Sequence, residues 1–157
     1  EKKTSIGNRA QKYLDSGDIV PDDIAIRLIE SEIQEHHEAA RGFIIKGFPS
    51  NLVQAYILDG LFKRHDSEVS LVLNVDAPTL TSIKRLHERA KTDKARVYDM
   101  DTDIIIHRLE VWEKKTKPVL EYYKRQGKIQ CFDGGGKPDE LHEKLTCTIK
   151  KAFKDIR

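Results

Sequence analysis

The chain has 157 residues, with 38% apolar and 34% charged side chains, which suffices for one folded domain with its own core. Its formal net charge of +2 is too close to balance to indicate nucleic acid or an acidic membrane as the partner. No apolar run approaches the roughly 20 residues of a membrane span, so the composition predicts a soluble, cytoplasmic protein.

Helices are predicted for most of the first half of the chain. Apolar side chains recur at helical spacing over residues 4–16, where Gly17 is placed to end the helix. Pro21 is suited to the first turn of a second helix, which continues to about residue 33. A third helix is expected from about Leu52 to Arg64.

Between the second and third helices lies a strand–turn–helix pattern. The short apolar run from Gly42 to Gly47 is too brief for a helix and predicts a buried strand, the first of three visible in this sequence, with the first strand of the sheet and the phosphate loop missing. Gly47 and Pro49 then break the strand. Such a turn puts backbone groups and one side chain at the carboxyl edge of a sheet, where open α/β folds bind ligands. The alternative is a corner that binds nothing.

The second half alternates between strands and helices, which favours a parallel sheet with helices on both faces, an α/β fold. The predicted elements are a strand over 69–75, a helix over 79–90, a charged loop over 91–103, a helix over 104–114, a new helix begun by Pro118 over 119–126, a strand over 128–132 and a helix over 138–153. Only three strands are visible, so further strands are expected ahead of residue 1.

Several segments together resemble the nucleoside monophosphate kinases, above all adenylate kinase and UMP/CMP kinase. They are Gly47-Phe48-Pro49 with Gln54, Ser16-Gly17-Asp18-Ile19-Val20-Pro21-Asp22, Val75-Asp76-Ala77-Pro78, Arg85-Leu86-His87-Glu88-Arg89, Arg108-Leu109-Glu110-Val111-Trp112, Thr116-Lys117-Pro118-Val119 and Tyr122-Tyr123. The resemblance covers nearly the whole chain. It implies one adenylate kinase-like domain over 1–157, a partial P-loop kinase-like parallel sheet with flanking helices. Its monophosphate-binding region would be about 4–40 and its lid about 91–103.

The resemblance also implies a reaction, which is phosphoryl transfer from ATP, with Mg²⁺, to AMP or a related monophosphate. The implied site residues are Arg89, Arg96 and Arg108 for the phosphates, Val20, Gly47 and Gln54 for the monophosphate, and Gly134, Gly135 and Gly136 near the ATP adenine. The three arginines are expected to face a common cleft. The alternative is that they lie on separate solvated helix faces.

Two positions depart from the family pattern. Lys46 stands where the family has Asp, and Ser50 stands where it has Arg. A cation at position 46 would repel Mg²⁺, and a serine cannot form the bidentate pair with a phosphate. The alternative is that Lys46 reaches a phosphate in a reworked site.

A further departure is that no Gly-x-x-x-x-Gly-Lys-[Ser/Thr] phosphate loop occurs in the 157 residues. The chain as given is therefore predicted to be inactive or impaired. Cofactors are expected to be Mg²⁺ with ATP if it is active and otherwise none. No metal site of its own is predicted, because Cys131 and Cys147 lack metal-ligand spacing. The alternative function is a degenerate kinase-like structural or docking module that contacts other chains of a larger assembly.

Overall fold

The computed structural model describes residues 5–16, 19–39 and 42–155. In chain order the elements are α1 (Ser5–Ser16), α2 (Asp22–His36), α3 (Leu52–Lys63), β1 (Val72–Asp76), α4 (Thr79–Arg89), a 3₁₀ turn (Val97–Asp99), α5 (Thr102–Val111), a π-helical turn (Trp112–Thr116), α6 (Lys117–Arg125), β2 (Ile129–Asp133) and α7 (Pro138–Asp155). None of the described helices is long and apolar enough to cross a membrane. The predicted α/β class is confirmed, whereas the C-terminal glycine predicted at Gly17 lies outside the described residues.

The described sheet consists of two parallel strands. β1 and β2 are neighbours in a register that runs from Val72 opposite Ile129 to Asp76 opposite Asp133. They are the strands predicted over 69–75 and 128–132, and each ends one residue later than predicted. Because the strands are parallel, their carboxyl ends lie side by side, and the loops that follow β1 and β2 begin at the same edge of the sheet.

The strand predicted between Gly42 and Gly47 is wrong for this structure. Residues 42–46 have no regular secondary structure, and Ile44 is 92% exposed. Phe43 and Ile45 nevertheless pack against the core, so the run alternates between inward and outward side chains. A strand is defined by hydrogen bonds to a neighbour, and no described strand pairs with this segment.

Two clusters of apolar side chains meet on α3. Ile33 of α2 packs with Leu58, Leu61 and Phe62 of α3 in the first cluster. In the second, Ala55 of α3 packs with α6 residues that include Tyr123, which is only 1% exposed. α3 is thus held between α2 and α6, and this fixes the position of the loop that leads into it.

The structure corrects the predicted break at Pro118. α5, the π-helical turn and α6 follow one another without an intervening loop from Thr102 to Arg125. In an ordinary helix a proline removes one backbone hydrogen bond and clashes with the carbonyl four residues back. Here the ladder widens just before the proline, since the N–H of Lys117 bonds to the carbonyl of Trp112, five residues back. The wider turn accommodates Pro118.

Candidate functional site

The Gly-Phe-Pro loop, residues 46–51, connects the unpaired segment to α3. Gly47 has φ +81°, a left-handed conformation that favours glycine, and the Phe48–Pro49 peptide bond is cis. Asn51 caps α3, because its side-chain oxygen accepts a hydrogen bond of 3.0 Å from the backbone N–H of Gln54. From the π-helical turn, the Thr116 hydroxyl donates to the carbonyl of Ser50 at 2.9 Å. The end of the loop is therefore tied to two helices.

Gln54 is the buried centre of a hydrogen-bond network and is 1% exposed. Its Nε2 donates to Asp22 Oδ1 at 2.8 Å, and its Oε1 accepts from the backbone N–H of Ser50 at 2.6 Å and from the Ser50 hydroxyl at 3.1 Å. Asn51 Nδ2 donates to the other oxygen of Asp22 at 2.9 Å. This carboxylate thus links the first turn of α2 to the start of α3. Both helix N-termini favour a negative charge there.

Val20 and Gly47, the other predicted monophosphate residues, lie on opposite sides of this link. Val20 is half-buried two residues ahead of Asp22, whereas Gly47 is exposed in the Gly-Phe-Pro loop. The network joins their two segments through Asp22 and Gln54. Binding of a monophosphate by these residues stays a prediction.

The two altered family positions differ in their surroundings. Lys46 is exposed, whereas Ser50 is half-buried and donates both its N–H and its hydroxyl to Gln54. Mg²⁺ prefers carboxylate oxygens, and an ammonium group at position 46 does not fit that requirement. Within residues 5–16, 19–39 and 42–155, no group of three or more His, Cys, Asp or Glu side chains could hold a metal ion. Lys46 therefore does not fit the role of a Mg²⁺ ligand.

The three predicted phosphate-binding arginines converge on one aromatic ring. The guanidinium carbons of Arg108, Arg89 and Arg96 lie 4.3, 5.8 and 5.9 Å from the centre of the Tyr98 ring. Arg96 Nη1 also donates to the Tyr98 hydroxyl at 2.8 Å. The arginines come from the end of α4, the start of the 3₁₀ turn and α5, and they do not lie on separate solvated faces. We call this group the arginine cluster.

Asp99 is the buried partner that orders the arginine cluster. It is 0% exposed and accepts two hydrogen bonds from Arg89, of 2.8 Å from Nε and 2.7 Å from Nη2. The backbone N–H of Arg96 adds a third at 3.0 Å. The bonds from Arg89 lower the pKa of Asp99, and the same pairing raises the pKa of Arg89. Asp99 thus fixes the guanidinium of Arg89 and the backbone of Arg96, two of the three members of the arginine cluster.

The glycine turn after β2 packs closely on the end of β1. The N–H of Gly134 donates to the carbonyl of Asp76 at 2.5 Å. A Cβ atom at Gly134 would lie 2.8 Å from Val75 Cγ1, so only glycine fits. Arg85 of α4 covers the turn from outside, donating to the carbonyls of Gly134 at 2.5 Å and of Gly135 and Gly136 at 3.4 Å.

The chain matches known proteins along most of its length. The family model described as adenylate kinase matches residues 1–128. The chain is 34% identical over 149 residues to an adenylate kinase of Flavobacterium psychrophilum, covering 95% of this chain and 77% of the relative. It is 31% identical over 148 residues to an adenylate kinase of a Synechococcus species, with coverages of 94% and 75%. For an adenylate kinase of Nocardia farcinica the identity is 33% over 143 residues, with coverages of 91% and 74%. The chain belongs to the adenylate kinase family.

For three side chains of this adenylate kinase family member, sequence reasoning noted the position but predicted no contact partner. Arg85, which covers the glycine turn, lies one helical turn before Arg89, and that spacing could have placed both on one face of α4. Asp22 lies in a segment that resembles the family, and Asp99 lies near the position of the family's Asp pair, which Met100 interrupts. Their roles depend on contacts with Arg89 and Gln54 that no local pattern reveals.

Proposed function

We propose that this adenylate kinase family domain binds the phosphate groups of a nucleotide at the arginine cluster. The observation that carries the proposal is the convergence of Arg89, Arg96 and Arg108 on Tyr98 beside the buried carboxylate of Asp99. Phosphoryl transfer depends on positioned positive charge more than on covalent chemistry of the protein. The paired hydrogen bonds from Arg89 to Asp99 hold that guanidinium in place before any ligand arrives.

The reaction we propose is the family's transfer of a phosphoryl group from ATP to AMP or a related monophosphate. ATP would enter with Mg²⁺ as its complex, with its phosphates at the arginine cluster and its adenine beside Gly134, Gly135 and Gly136. The guanidinium of Arg85 offers a planar cation next to that turn. The monophosphate would lie between the Val20 segment and the Gly-Phe-Pro loop.

We further propose that the 157-residue chain by itself turns over slowly or not at all. Ser50 brings no charge to the acceptor phosphate, and its hydrogen bonds are directed at Gln54. Lys46 places a cation where a carboxylate would help to order Mg²⁺. The printed sequence also contains no phosphate loop to cradle the β- and γ-phosphates.

Titration of the full chain with ATP, followed by calorimetry, tests the binding proposal. Arg108→Ala should weaken ATP binding by about tenfold or more, because an arginine–phosphate contact is a strong, charge-assisted hydrogen bond. Arg64→Ala is the matched control, since Arg64 is exposed at the end of α3 and pairs with Glu30. Equal effects of both changes, or no saturable ATP binding by the unmodified chain, would contradict the proposal.

A coupled assay tests turnover. The unmodified chain should form no ADP above a buffer blank when ATP, AMP and Mg²⁺ are supplied together. ADP formation that needs both AMP and Mg²⁺ would show that the chain is an active enzyme.

The second candidate function is a structural or docking module. It is favoured by Ile44, which is 92% exposed in a segment that pairs with no described strand, and by Leu80, which is 73% exposed at the start of α4. A folded chain that binds no ATP would support this function over the first. The cytoplasmic location stays a prediction.

A further inference from the structure

A groove runs along the surface between α3 and α6. It has a volume of about 430 Å³, and its apolar lining consists of Leu52, Tyr56, Pro118 and Tyr122. The rings of Tyr56 and Tyr122 meet edge to face, with their centres 4.9 Å apart. Tyr56 is 58% exposed, and Val53, one turn earlier on α3, is 60% exposed. Aromatic and aliphatic side chains thus face the solvent on neighbouring helices.

The surface of α3 is flat beyond Tyr56. Gly60 lies one turn after this tyrosine and is exposed, and a Cβ atom there would meet no atom of the described residues within 4 Å. Glycine destabilises the interior of a helix relative to alanine. The packing of the described chain does not require it here. Gly60 therefore leaves the backbone of α3 accessible to the close approach of another surface.

Charged side chains that alternate in sign line the same groove. In chain order they are Glu113, Lys117, Glu121 and Arg125, spaced four residues apart along the π-helical turn and α6. At a rise of 1.5 Å per residue they span about 18 Å. When this order is reversed about its midpoint at residue 119, every acid falls on a base. Glu113 is then opposite Arg125, and Lys117 is opposite Glu121.

We propose that this groove is the interface of a symmetric dimer, in which the α6 helices of two copies of the chain lie antiparallel across a two-fold axis near residue 119. In such an interface the same patch is used by both subunits and must complement itself. The axis brings Lys117 of one copy to Glu121 of the other, and Glu113 to Arg125. A second copy supplies this reversed order of charges automatically, whereas an unrelated protein would have to match it separately. The dimer goes beyond nucleotide binding and does not depend on it.

The apolar centre and the charged residues have different roles in this dimer. Burial of Val53 and Tyr56 removes apolar surface from water, and tyrosine is among the residues that contribute most to binding at interfaces. Exposed ion pairs contribute little each, and Lys117 already bonds to Glu113 within one chain. The apolar centre therefore supplies most of the affinity. The charges fix the antiparallel register, because other registers set like charges against each other.

Analytical ultracentrifugation of the full chain tests for the dimer. The mass should rise with protein concentration from that of one chain to twice that value, with a dissociation constant on the order of 10 μM. Tyr56→Ala should weaken the dimer by about tenfold or more. Phe153→Ala on α7 is the matched control, since its side chain is 54% exposed, and it should leave the constant unchanged. A chain that stays monomeric up to about 1 mM would overturn the proposal.

Reversal of charges tests the two-fold pairing. Lys117→Glu sets an acid against Glu121 of the other copy at both symmetry-related contacts, which should weaken the dimer by about tenfold. Addition of Glu121→Lys to the same chain restores opposite charges and should recover most of the affinity. Lys144→Glu, at an exposed lysine of α7, is the control and should have no effect. Circular dichroism checks that each variant keeps its helices.

Two outcomes separate this interface from other contacts. If the double variant dimerises as weakly as Lys117→Glu, the antiparallel pairing is wrong and the proposal is overturned. A dimer that Tyr56→Ala and Phe153→Ala affect equally uses another face, which overturns it as well. Tyr56→Ala and its control still decide the matter if Lys117→Glu fails to fold. The measurements contain no nucleotide, so their outcome is separate from that of the proposed nucleotide site.

Discussion

The arginine cluster and the Gly-Phe-Pro loop use different physical means to hold their side chains. In the cluster, the guanidinium of Arg89 is paired with the buried carboxylate of Asp99 by two charge-assisted hydrogen bonds. In the loop, Gln54 and Ser50 are held mainly by hydrogen bonds between uncharged groups, and the one cation, Lys46, is exposed. Paired charges thus hold side chains in one region, whereas hydrogen bonds between mostly uncharged groups hold them in the other.

In the proposed function the two regions are the two halves of one nucleotide site, and this difference means that they have diverged from the family pattern to different extents. Electrostatic stabilisation of a transferring phosphoryl group requires charge on both the donor and the acceptor side. A cluster that is intact by itself can bind phosphates without turning them over. The predictions below alter one side at a time.

Restoring the family residues in the loop should give the largest effect. In a chain preceded by a family phosphate loop, Lys46→Asp with Ser50→Arg should raise phosphoryl transfer by about 10³-fold, the scale of an arginine on a transferring phosphate. The two changes act on one transition state, so together they should exceed the product of the separate effects. ADP formation in a coupled assay measures this.

The control for that pair exchanges the same residue types on the surface, as Lys150→Asp with Ser70→Arg. It should leave the rate unchanged. If the restored chain stays at background with the phosphate loop present, the domain is a scaffold. If the unaltered chain with that loop already turns over at an ordinary rate, positions 46 and 50 do not limit activity.

Removing the charge of Asp99 should give the next largest effect. Asp99→Asn leaves Arg89 paired with a neutral amide in a buried place, which should cost about 3 kcal/mol in the local stability of residues 95–101. Faster backbone hydrogen exchange over residues 95–101 would show it. Asp103→Asn, in the exposed first turn of α5, should cost less than about 1 kcal/mol. Equal losses of stability in Asp99→Asn and Asp103→Asn would mean that the carboxylate of Asp99 does not order the arginine cluster.

The same pair predicts a dependence on acid. The pKa of Asp99 is lowered in the folded chain, so its contribution is complete above the unfolded value near 3.8 and is lost as pH falls through the lower folded value. The protection of residues 95–101 against backbone hydrogen exchange should therefore be constant from pH 7 to 5 and decline below pH 4. Protection already lost at pH 5 would contradict the assignment.

The sequence was most informative where structure depends on local patterns. α3 and α4 lie within one residue of their predicted bounds, because apolar spacing and helix termini are encoded by neighbouring residues. The strand expected before Gly47 failed because a strand needs a partner that can lie anywhere along the chain. The break predicted before Pro118 was wrong for a related reason, since a proline in the sequence does not indicate the π-helical turn that accommodates it.

In the candidate site, too, the sequence predicted some features, whereas others depend on contacts between residues far apart in the chain. The convergence of Arg89, Arg96 and Arg108 followed from family positions around a loop, although Tyr98 as their common neighbour did not. The pairing of Gln54 with Asp22 spans 32 residues, and no spacing rule predicts it. The use of Ser50 as a donor to Gln54 depends on a loop conformation that only the structure provides.

A smaller effect is expected at a carboxylate that joins α3 to α6. Asp59 accepts from Tyr122 at 2.6 Å and from Tyr123 at 3.1 Å. Tyr123→Phe should lower the free energy of unfolding by about 1 kcal/mol, the scale of one net hydrogen bond. Thermal or urea unfolding measures it. Tyr56→Phe, at a residue 58% exposed, should change it by less than about 0.5 kcal/mol.

The stability contribution of Tyr123 should also depend on alkaline pH. Burial and the Asp59 charge raise the pKa of Tyr123 above its ordinary value of 10.0. The contribution of this tyrosine is therefore complete below pH 10 and is lost as pH rises above it. The Phe variant should lose less stability between pH 9 and 11 than the unmodified chain. An equal loss in both would assign the alkaline sensitivity to other groups.

The smallest predicted effect lies where the Gly-Phe-Pro loop contacts the π-helical turn. Thr116, in the π-helical turn that follows α5, donates to the carbonyl of Ser50 at 2.9 Å. Thr116→Val keeps the shape but removes the donor, which should lower stability by about 0.5–1 kcal/mol. Thr92→Val is the matched control. It removes an exposed hydroxyl that donates to the carbonyl of Arg89, in the loop that follows α4. If Thr116 transmits the position of α5 to the loop, its change should speed the exchange of the Gln54 amide, and the control should not. Faster unfolding with no change at Gln54 would limit Thr116 to a packing role and leave the two regions independent.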